Sequence, residues 1–425
     1  MQHDEPNIPA EIREEFEVLA SNTVDILPVE EFAQKLVRAR SEGRPLRVKY
    51  GADPSAPDIH LGHSVPIRKL KDFQDWGHKV VFIIGDYTAR IGDPSGKNSA
   101  RPRLAKDEVN ANAQTYLEQI FKILDREKTE LAYNSAWLEP MTVSDTIELM
   151  SSYTVSQMLE REDFHNRFDS EVPIYIHEFI YPLLQGRDSI EIHADIEIGG
   201  TDQKFNLLVG RELQRGKGQE PQCIMTLPLL VGLDGTHKMS KSLGNYIGIS
   251  ENAQAMFGKA MSIPDDIMWD YFELAVGLTE KETQTMRRAV ESGASHPRDV
   301  KEDLARRIVT LYHGADTAER EAQDFRARFT LRKFPEKTAE RVTLSLADAP
   351  NLAQVLALTG AAKSSREAQR LAKQGAIKVI EYPEPHTLSA HPAGGSLGLL
   401  RAPLAPGVYK LKIGKTRFVV LTITP

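Results

Sequence analysis

The stretch RVKYGADPSAPDIHLGH, residues 47–63, sets the architecture of the first half of this chain. Leu46, Val48 and Tyr50 alternate with polar residues, which predicts a short strand, and two prolines then predict a turn. A helical pattern begins near His60. The stretch therefore predicts a strand, a loop and the N-terminus of a helix in immediate succession.

Two histidines mark the start of that predicted helix. His60 and His63 are three residues apart, which places both imidazoles on one helix face, and Gly62 leaves the backbone bare for close approach of a ligand. A helix N-terminus also attracts phosphate. The same pattern fits half of a metal site or two unrelated surface histidines, so on its own it leaves the ligand open.

A second motif lies far downstream, KMSKS at residues 238–242. The loop LDGTH precedes it and Gly244 follows it, so Lys238 and Lys241 stand on a glycine-flanked loop that we expect to be mobile. The early HLGH and the late KMSKS together resemble the two signatures of class I aminoacyl-tRNA synthetases. The residues around them are similar to those of bacterial tyrosyl-tRNA synthetases, in the branch with a KMSKS signature.

Length and composition agree with a multidomain soluble protein. The chain has 425 residues, of which 41% are apolar and 27% charged, enough for two or three domains. Its single cysteine, Cys223, excludes disulfides within the chain and Cys-x-x-Cys zinc sites, which is typical of a reducing compartment. The sequence has no run of eighteen apolar residues and no apolar run at its N-terminus. We therefore expect a cytoplasmic protein that does not enter membranes.

Charge is distributed unevenly along the chain. Residues 351–425 carry ten Lys and Arg against three Asp and Glu, a net charge of +7, whereas the whole chain carries −7. A basic terminal segment on an acidic body favours polyanion binding by that segment, although a solvated surface without a partner gives the same asymmetry.

Hydrophobic periodicity predicts an α/β fold with a Rossmann-like, doubly wound parallel sheet. An apolar run at residues 79–85 is typical of a strand that is buried on both faces. Further helical and strand-like patterns alternate along the chain. The helices are predicted at 106–126, 144–160 and 175–186, and the strands at 129–133, 192–198 and 222–226.

Three domains are predicted from these patterns and from the resemblance. Residues 1–246 form the class I catalytic domain, and residues 247–337 form an α-helical domain on the anticodon side. A polar connector around 332–343 leads to a small α+β RNA-binding module of the ribosomal-protein type at 345–425.

The segment GDPSGKNS, residues 92–99, invites interpretation as a P-loop. That motif needs four residues between its glycines and Ser or Thr directly after Lys, and neither condition is met; a Gly-x-Gly-x-x-Gly motif after a strand is also missing. The resemblance implies instead that Asp93 binds the substrate ammonium and that Lys97 and Arg101 hold pyrophosphate. A solvated basic loop is the alternative.

Tyr181, Gln185 and Asp188 are spaced so that they share one face of a helix. The resemblance implies that Tyr181 and Gln185 hold the ammonium of tyrosine and that Asp188 accepts a hydrogen bond from its phenol. A helix with one exposed polar edge is the alternative.

Residues 198–203, IGGTDQ, are predicted as the end of a strand, a glycine turn and the start of a helix, where an adenosine can lie against bare backbone. Alone, the pattern also fits a structural helix cap. The resemblance places Gln203 at the tyrosine side of the adenylate and Asp202 at the ribose. It implies that ATP is bound by Asp53, His60, Gly62, His63, Gly199, Gly200, Asp202 and Lys241.

The implied reaction is attack of the tyrosine carboxylate on the α-phosphate of ATP, followed by transfer of tyrosine to the terminal ribose of tRNA(Tyr). The first step needs no protein nucleophile, so catalysis depends on positioning and on stabilising phosphate charge. We expect Mg2+ to arrive with ATP and expect no protein-bound metal. The resemblance also implies a homodimer. The residues expected to act in catalysis are His60, His63, Lys97, Arg101, Lys238 and Lys241.

Two features depart from the better-known bacterial branch of the family, in which the late signature reads Lys-Phe-Gly-Lys-Thr. There a tyrosine that helps to bind the substrate phenol stands where this chain has Lys49, so the role of Lys49 is open.

In the basic segment Arg366, Arg370 and Lys373 fall on one helix face, opposite apolar residues, and the segment resembles an RNA-binding module that tryptophanyl-tRNA synthetases generally lack. Tryptophanyl-tRNA synthetase and an inactive, synthetase-derived RNA-binding protein are the alternatives.

Overall fold

The computed structural model describes residues 8–54, 57–94, 105–329, 339–348, 351–362, 364–374, 376–381, 404–414 and 417–425. The chain forms two compact units, residues 1–319 and 320–425. No helix within the described ranges is long and apolar enough to cross a lipid bilayer.

A six-stranded sheet forms the centre of the first unit. Its strands are β1 (Asp25–Leu27), β2 (Arg47–Ala52), β3 (Lys79–Ile84), β4 (Thr129–Tyr133), β5 (Ile196–Gly200) and β6 (Cys223–Leu227). Their order is β1-β6-β5-β2-β3-β4, and all neighbours are parallel except β1 and β6. The predicted α/β sheet of parallel strands is confirmed, with an antiparallel strand added at one edge.

The position of the strands follows from their burial. Five of the six residues of β3 are buried, as are all five of β6, and such continuous apolar runs suit strands covered on both faces. The chain runs from β2 outward through β3 to β4, and then returns to β5 and runs the other way to β6. The strand order therefore reverses between β2 and β5. In open α/β sheets ligands bind at such a reversal, beyond the carboxyl ends of the strands.

Many helices connect these strands. The α-helices up to the end of the sheet are α1 (Arg13–Ala20), α2 (Val29–Glu42), α3 (Leu61–Asp75), α4 (Lys106–Ile120), α5 (Ser135–Leu138), α6 (Val143–Met150), α7 (Val155–Met158), α8 (Glu162–Asp169), α9 (Ile176–Glu191) and α10 (Lys204–Gly216). Short 3-10 helices span Ala10–Ile12, Thr88–Arg90 and Thr201–Gln203.

Four predicted elements have wrong boundaries. The helix predicted over 106–126 ends at Ile120, and the helix predicted over 175–186 continues to Glu191. The helix predicted over 144–160 is two short helices, α6 and α7, because Thr154 caps a new helix start with its side chain. The strand predicted over 192–198 begins later, because α9 continues through Glu191 and His193 adopts a left-handed φ of 50° before the chain becomes extended.

After β6 the first unit is helical, as predicted. The elements are α11 (Ala253–Ala260), α12 (Met268–Asp270), a π-helix at Tyr271–Val276, α13 (Glu280–Glu291) and α14 (Pro297–His313), followed by α15 (Ala315–Phe329) at the junction of the units. Val300, Leu304 and Ile308 on α14 are buried, which is the apolar face that the 3.6-residue period predicts.

The second unit contains a four-stranded sheet and two helices. The elements are β7 (Glu340–Ser345), α16 (Leu352–Leu358), α17 (Ser365–Lys373), β8 (Ile377–Glu381), β9 (Gly407–Ile413) and β10 (Arg417–Thr424), with sheet order β7-β10-β9-β8. The predicted connector at 332–343 is wrong in its last residues, which begin β7; there Val342 and Leu344 alternate with polar residues and pack on the core. Residues 332–338 lie outside the described ranges.

Candidate active site

Helix α3 begins at the two histidines of the first signature. The backbone N–H of His60 donates to Nδ1 of His63 at 3.4 Å, and the two ring centroids are 3.8 Å apart. His60 is only 6% exposed, which rules out the surface-histidine interpretation for this residue. Burial, with a smaller contribution from the positive charge of Lys241, lowers the pKa of His60 to about 2 and that of His63 to about 4. Both imidazoles are therefore neutral at pH 7 and can donate a hydrogen bond to an oxygen atom of a ligand.

These two pKa values predict a specific acid sensitivity. A histidine that is neutral in the folded protein and titrates near its ordinary pKa of 6.5 when unfolded stabilises the fold fully above pH 6.5. That stability is lost as the pH falls from 6.5 towards 4, because the imidazole takes up a proton in the unfolded chain but stays neutral in the folded chain. In His63→Gln the melting temperature should therefore fall less steeply between pH 7 and pH 4.5 than in the wild type. Parallel curves would contradict the burial of a neutral imidazole.

The second signature lies against the first, although they are far apart in sequence. The N–H of Gly62 donates to Sδ of Met239 at 3.3 Å, and the ammonium of Lys241 donates to the carbonyl oxygen of Asp58. A Cβ atom on Gly62 would lie 3.1 Å from the ring of His60 and 3.4 Å from Cβ of Met239. A side chain at position 62 would therefore crowd the ring of His60, and glycine leaves room for the two motifs to lie together.

Lys238 reaches a different part of the site. Its ammonium lies 3.1 Å from Oδ2 of Asp202, which follows β5 in the glycine turn. A Cβ atom on Gly200 in that turn would lie 2.8 Å from Oδ1 of Asp202 and 2.8 Å from a methyl group of Leu229. Gly199 is the neighbouring residue of β5. The carboxyl end of β5 thus presents bare backbone beside a carboxylate and a lysine, an arrangement that suits a ribose and phosphate.

A residue that the sequence did not suggest fixes the loop of the second signature. Asn245 is buried, and its Oδ1 accepts from the N–H of Ser240 at 2.8 Å. Its amide group donates to Oδ2 of Asp234 at 3.0 Å. Asn245 therefore ties both ends of the loop together; its only sequence signal is a polar residue close behind the signature.

The carboxyl end of β2 carries Asp53. Its two carboxylate oxygens accept from the hydroxyl of Thr88 at 2.7 Å and from the phenol of Tyr181 at 2.9 Å. The structure thus places Asp53, predicted to bind ATP, beside Tyr181, predicted to bind tyrosine. The two predicted subsites share this carboxylate.

A chain of polar side chains links the residues predicted to bind tyrosine. The amide of Gln203 donates to Asp93 at 2.9 Å. Asn206, which is buried, donates to the side-chain oxygens of both Gln203 and Gln185 at 3.0 Å. Arg161 donates to Asn206 at 3.1 Å and lies 3.5 Å from Asp93. Asn206 and Arg161 are functional candidates that the sequence reasoning missed.

Asp188, on the same helix as Gln185, is buried. The indole N–H of Trp137 donates to Oδ1 of Asp188 at 2.8 Å, and Asn134 donates to Oδ2 at 3.4 Å. Burial raises the pKa of Asp188 to about 7, against the opposing effect of the Lys49 ammonium and of these two donors. A buried acceptor with two fixed donors can orient a ligand hydroxyl. Trp137 and Asn134 were also missed.

Five further site residues were predicted from the sequence. Lys97 and Arg101 fall outside the described ranges. Arg366, Arg370 and Lys373 lie on α17 of the second unit, where all three are exposed while Ala368 and Ala372 are buried. Among the described residues no group of three or more His, Cys, Asp and Glu side chains could hold a metal ion.

Comparison with known proteins identifies this arrangement. Residues 41–330 match the family model described as tRNA synthetases class I (W and Y). Fold and site therefore define a class I aminoacyl-tRNA synthetase. The tyrosine–tRNA ligase of Bordetella avium is 48% identical over 415 residues, covering 97% of this chain and 96% of the relative. The tyrosine–tRNA ligase of Carboxydothermus hydrogenoformans is 48% identical over 414 residues, covering 96% of this chain and 98% of the relative. The chain belongs to the tyrosine–tRNA ligase family.

Solved structures agree at the level of the fold. A mitochondrial tyrosyl-tRNA synthetase of Aspergillus nidulans superposes with a TM-score of 0.60 at 21% identity, over 75% of this chain and 96% of that one. The tyrosyl-tRNA synthetase of Archaeoglobus fulgidus, solved with L-tyrosine, also gives a TM-score of 0.60 at 22% identity. This match covers 73% of this chain and 99% of that one.

Proposed function

We propose that this site activates tyrosine with ATP, forming tyrosyl-adenylate and pyrophosphate, and then transfers tyrosine to the 3'-terminal ribose of tRNA(Tyr). One observation carries the proposal: the two signatures meet, with Met239 accepting from the N–H of Gly62 and Lys241 held on the carbonyl of Asp58. The chain of polar side chains through Asn206 begins at Gln203, three residues after the carboxyl end of β5, and is proposed to supply a site for an amino acid. Full-length tyrosine–tRNA ligase relatives support the same reaction.

The chemistry requires positioning more than proton transfer. The carboxylate of tyrosine is already ionised at pH 7, so its attack on the α-phosphate needs no general base. His60 and His63 are neutral donors for phosphate or ribose oxygens, and Lys238 and Lys241 supply positive charge for the leaving pyrophosphate. Lys97 and Arg101 are proposed to add charge from the neighbouring loop.

ATP is the proposed nucleotide, and Mg2+ is proposed to arrive bound to its phosphates. A phosphate-borne Mg2+ keeps much of its own water shell and needs few protein ligands. Asp202 is proposed to hold the ribose hydroxyls beside Gly199 and Gly200. Because Lys238 pairs with Asp202 in the structure, the ribose would separate this ion pair and release the lysine towards the phosphates.

For the amino acid, we propose that Asp93, Tyr181, Gln185 and Gln203 surround the ammonium side and that Asp188 accepts from the phenol. The geometry supports this, because Gln203 and Gln185 are joined through Asn206 while Asp188 lies one helical turn beyond Gln185 on α9. Tyrosine is favoured over tryptophan because a buried carboxylate suits a hydroxyl group, and because the matched relatives are tyrosine–tRNA ligases.

A three-domain division is proposed for the complete reaction: residues 1–246 for catalysis, 247–337 for the anticodon side of the tRNA, and 345–425 for further RNA contact. Helix α17 supports the last role. Its exposed face carries Arg366, Arg370 and Lys373, and the side chain of Arg370 is 63% exposed, although it also lies 3.2 Å from Glu367.

Reversing that charge should separate RNA binding from activation. In the triple variant R366E/R370E/K373E we expect the KM for tRNA(Tyr) to rise by about tenfold or more, because each lost phosphate contact weakens binding and reduces its dependence on salt. Tyrosine-dependent pyrophosphate exchange, which needs no tRNA, should stay unchanged. Replacing Arg126, Arg215 and Lys217 by Glu gives a control for charge alone, because these three residues are exposed and lie outside the two regions proposed to contact the tRNA. An unchanged KM for tRNA would contradict the role of α17.

We also propose a cytoplasmic homodimer. Large apolar side chains are more than half exposed along residues 143–176, among them Val143, Phe168 and Ile176. Val155 and Phe168 line one groove. Exposed apolar patches of this kind mark protein interfaces and support a second copy as the partner. Light scattering in solution tests the dimer.

Aminoacylation itself tests the proposed function. The purified protein with ATP, Mg2+ and tRNA(Tyr) should attach labelled tyrosine to the RNA, and periodate oxidation of the terminal ribose should abolish the attachment. Binding of tRNA without any charging would favour the inactive RNA-binding alternative.

A further inference from the structure

Lys49 on β2 is fully buried, and its ammonium group has three acceptors. The distances from Nζ are 2.8 Å to Oε1 of Glu197, 2.7 Å to the hydroxyl of Ser189 and 2.8 Å to the carbonyl oxygen of Gln185. An ammonium group has three protons to donate. All three are therefore used within the protein, and Lys49 has none left for the phenol of a substrate.

Glu197 on β5 is the partner in this buried pair, with a side chain only 1% exposed. It accepts from the side-chain amide of Gln185 at 3.1 Å, from the hydroxyl of Ser189 at 3.2 Å and from the amide of Gln222. A carboxylate can only accept, so the NH2 group of Gln185 has to face Glu197. The side-chain oxygen of Gln185 is then on the other side, where it accepts from Asn206 at 3.0 Å.

This orientation matters because of what Gln185 is proposed to bind. An ammonium group needs an acceptor, and a carboxamide oxygen has two lone pairs, of which Asn206 uses one. If the amide rotated by half a turn, it would present N–H groups to the ammonium and repel it. The orientation of the Gln185 amide thus affects how strongly the site binds an α-amino group, alongside the other residues proposed to surround it.

We propose that the Lys49–Glu197 pair is a positioning device for the substrate ammonium: Glu197 fixes the side-chain amide of Gln185 with its oxygen available, and Lys49 holds Glu197 and the backbone of α9 in place. The inference rests on the proposed function, since it assumes that Gln185 binds the ammonium of tyrosine. It assigns Lys49 a role away from the phenol, although the tyrosine that occupies this position in the better-known branch contacts that phenol.

The test is the double variant K49M/E197Q. Removing one partner would leave a buried unpaired charge and risk unfolding, whereas removing both charges at similar volume is tolerated far better. The two charges also act in opposite directions on the pKa of Asp188, so removing both disturbs that carboxyl less than removing one. A glutamine at position 197 can donate as well as accept, so it no longer fixes the amide of Gln185.

Two affinity ratios, measured by calorimetry, distinguish the possible roles. The first compares 3-(4-hydroxyphenyl)propanoate, which lacks the ammonium, with tyrosine; the second compares phenylalanine, which lacks the hydroxyl, with tyrosine. In K49M/E197Q the first ratio of Kd values should fall about tenfold, the usual scale for a hydrogen bond to a charged group. The second ratio should stay within about twofold of the wild type.

A matched control is available in another buried pair. Arg167 and Glu178 lie 2.6 Å apart with side chains 3% exposed, and Glu178 is also on α9. The variant R167M/E178Q should lower stability to a similar extent and leave both affinity ratios unchanged. If K49M/E197Q does not fold, Ser189→Ala keeps both charges, removes the hydroxyl that joins Lys49 to Glu197 and should shift the first ratio in the same direction by a smaller factor.

The outcomes separate this inference from the proposed function. An unchanged first ratio in a folded variant would overturn the inference, and so would a change confined to the second ratio, which would place Lys49 on the phenol after all. If the wild type does not catalyse pyrophosphate exchange with tyrosine, the proposed function fails and the inference fails with it.

Discussion

Lys241→Ala is expected to lower kcat/KM for tyrosine-dependent pyrophosphate exchange by about 100- to 1,000-fold, the loss typical of one preorganised charge-stabilising donor. The ammonium of Lys241 lies beside both signatures and donates to the carbonyl of Asp58, so it is close to where ATP phosphates are proposed to bind. Burial lowers the pKa of Lys241, while Asp58 opposes that shift. Single-turnover formation of the adenylate measures the effect.

The same variant should leave tyrosine affinity and melting temperature unchanged, because no described contact of Lys241 involves the residues proposed to bind tyrosine. Lys71→Ala is the matched control, since Lys71 lies on α3, is partly exposed and pairs with Asp75 away from the site. Unchanged turnover in Lys241→Ala would refute the role of this lysine. A parallel loss of stability would indicate a structural role for it.

Asp188→Asn is expected to lower the preference for tyrosine over phenylalanine in kcat/KM by about tenfold to a hundredfold, the range for losing a hydrogen bond to a charged acceptor. Asp188 is buried, and the indole of Trp137 and the amide of Asn134 orient it. An asparagine in the same place can turn its NH2 group towards the ligand. Competition between the two amino acids in pyrophosphate exchange measures the ratio, with Asp75→Asn as a control.

The pH dependence of this carboxyl has a definite sign. Because burial raises its pKa from 3.8 to about 7, Asp188 is a stronger acceptor above pH 7 than below it. The preference for tyrosine in the wild type should therefore increase between pH 6 and pH 8, and in Asp188→Asn it should stay flat. The folded state favours the protonated carboxyl, so its contribution to stability is present below pH 3.8 and is lost as the pH rises through 7.

It follows that the melting temperature of Asp188→Asn, relative to the wild type, should rise as the pH increases from 5 to 8. A selectivity that is independent of pH in the wild type, or a stability difference that does not change with pH, would contradict a buried carboxyl that titrates near pH 7.

Much of the fold could be predicted from local patterns. The apolar run of β3 follows from burial of that strand on both faces, and the start of α3 after His60 follows from the loop before it. The alternation in β2 predicted a strand correctly, although burial along it does not alternate, because Val48 and Lys49 are both buried. The boundaries of β5 could not be read in the same way. Ile192 and Ala194 are apolar and buried, but they lie in the turn after α9 and not in a strand.

The site residues likewise include some that local patterns predict and others that they do not. The signatures at His60 and Lys241 are short motifs, and sequence reasoning identified both. Asn206, Arg161 and Trp137 were missed, because their partners are distant in sequence and a buried polar residue has no local pattern that separates it from an exposed one. The role of Lys49 likewise depends on Glu197, a contact between two strands that only the sheet order reveals.

Pyrophosphate exchange into ATP, measured with each of the standard amino acids in turn, tests the central claim most directly. It reports adenylate formation in the first unit and requires no tRNA. We expect exchange with tyrosine alone. Exchange with tryptophan in place of tyrosine would contradict the role of Asp188 as an acceptor for the phenol, and no exchange with any amino acid would contradict the proposed function of the site.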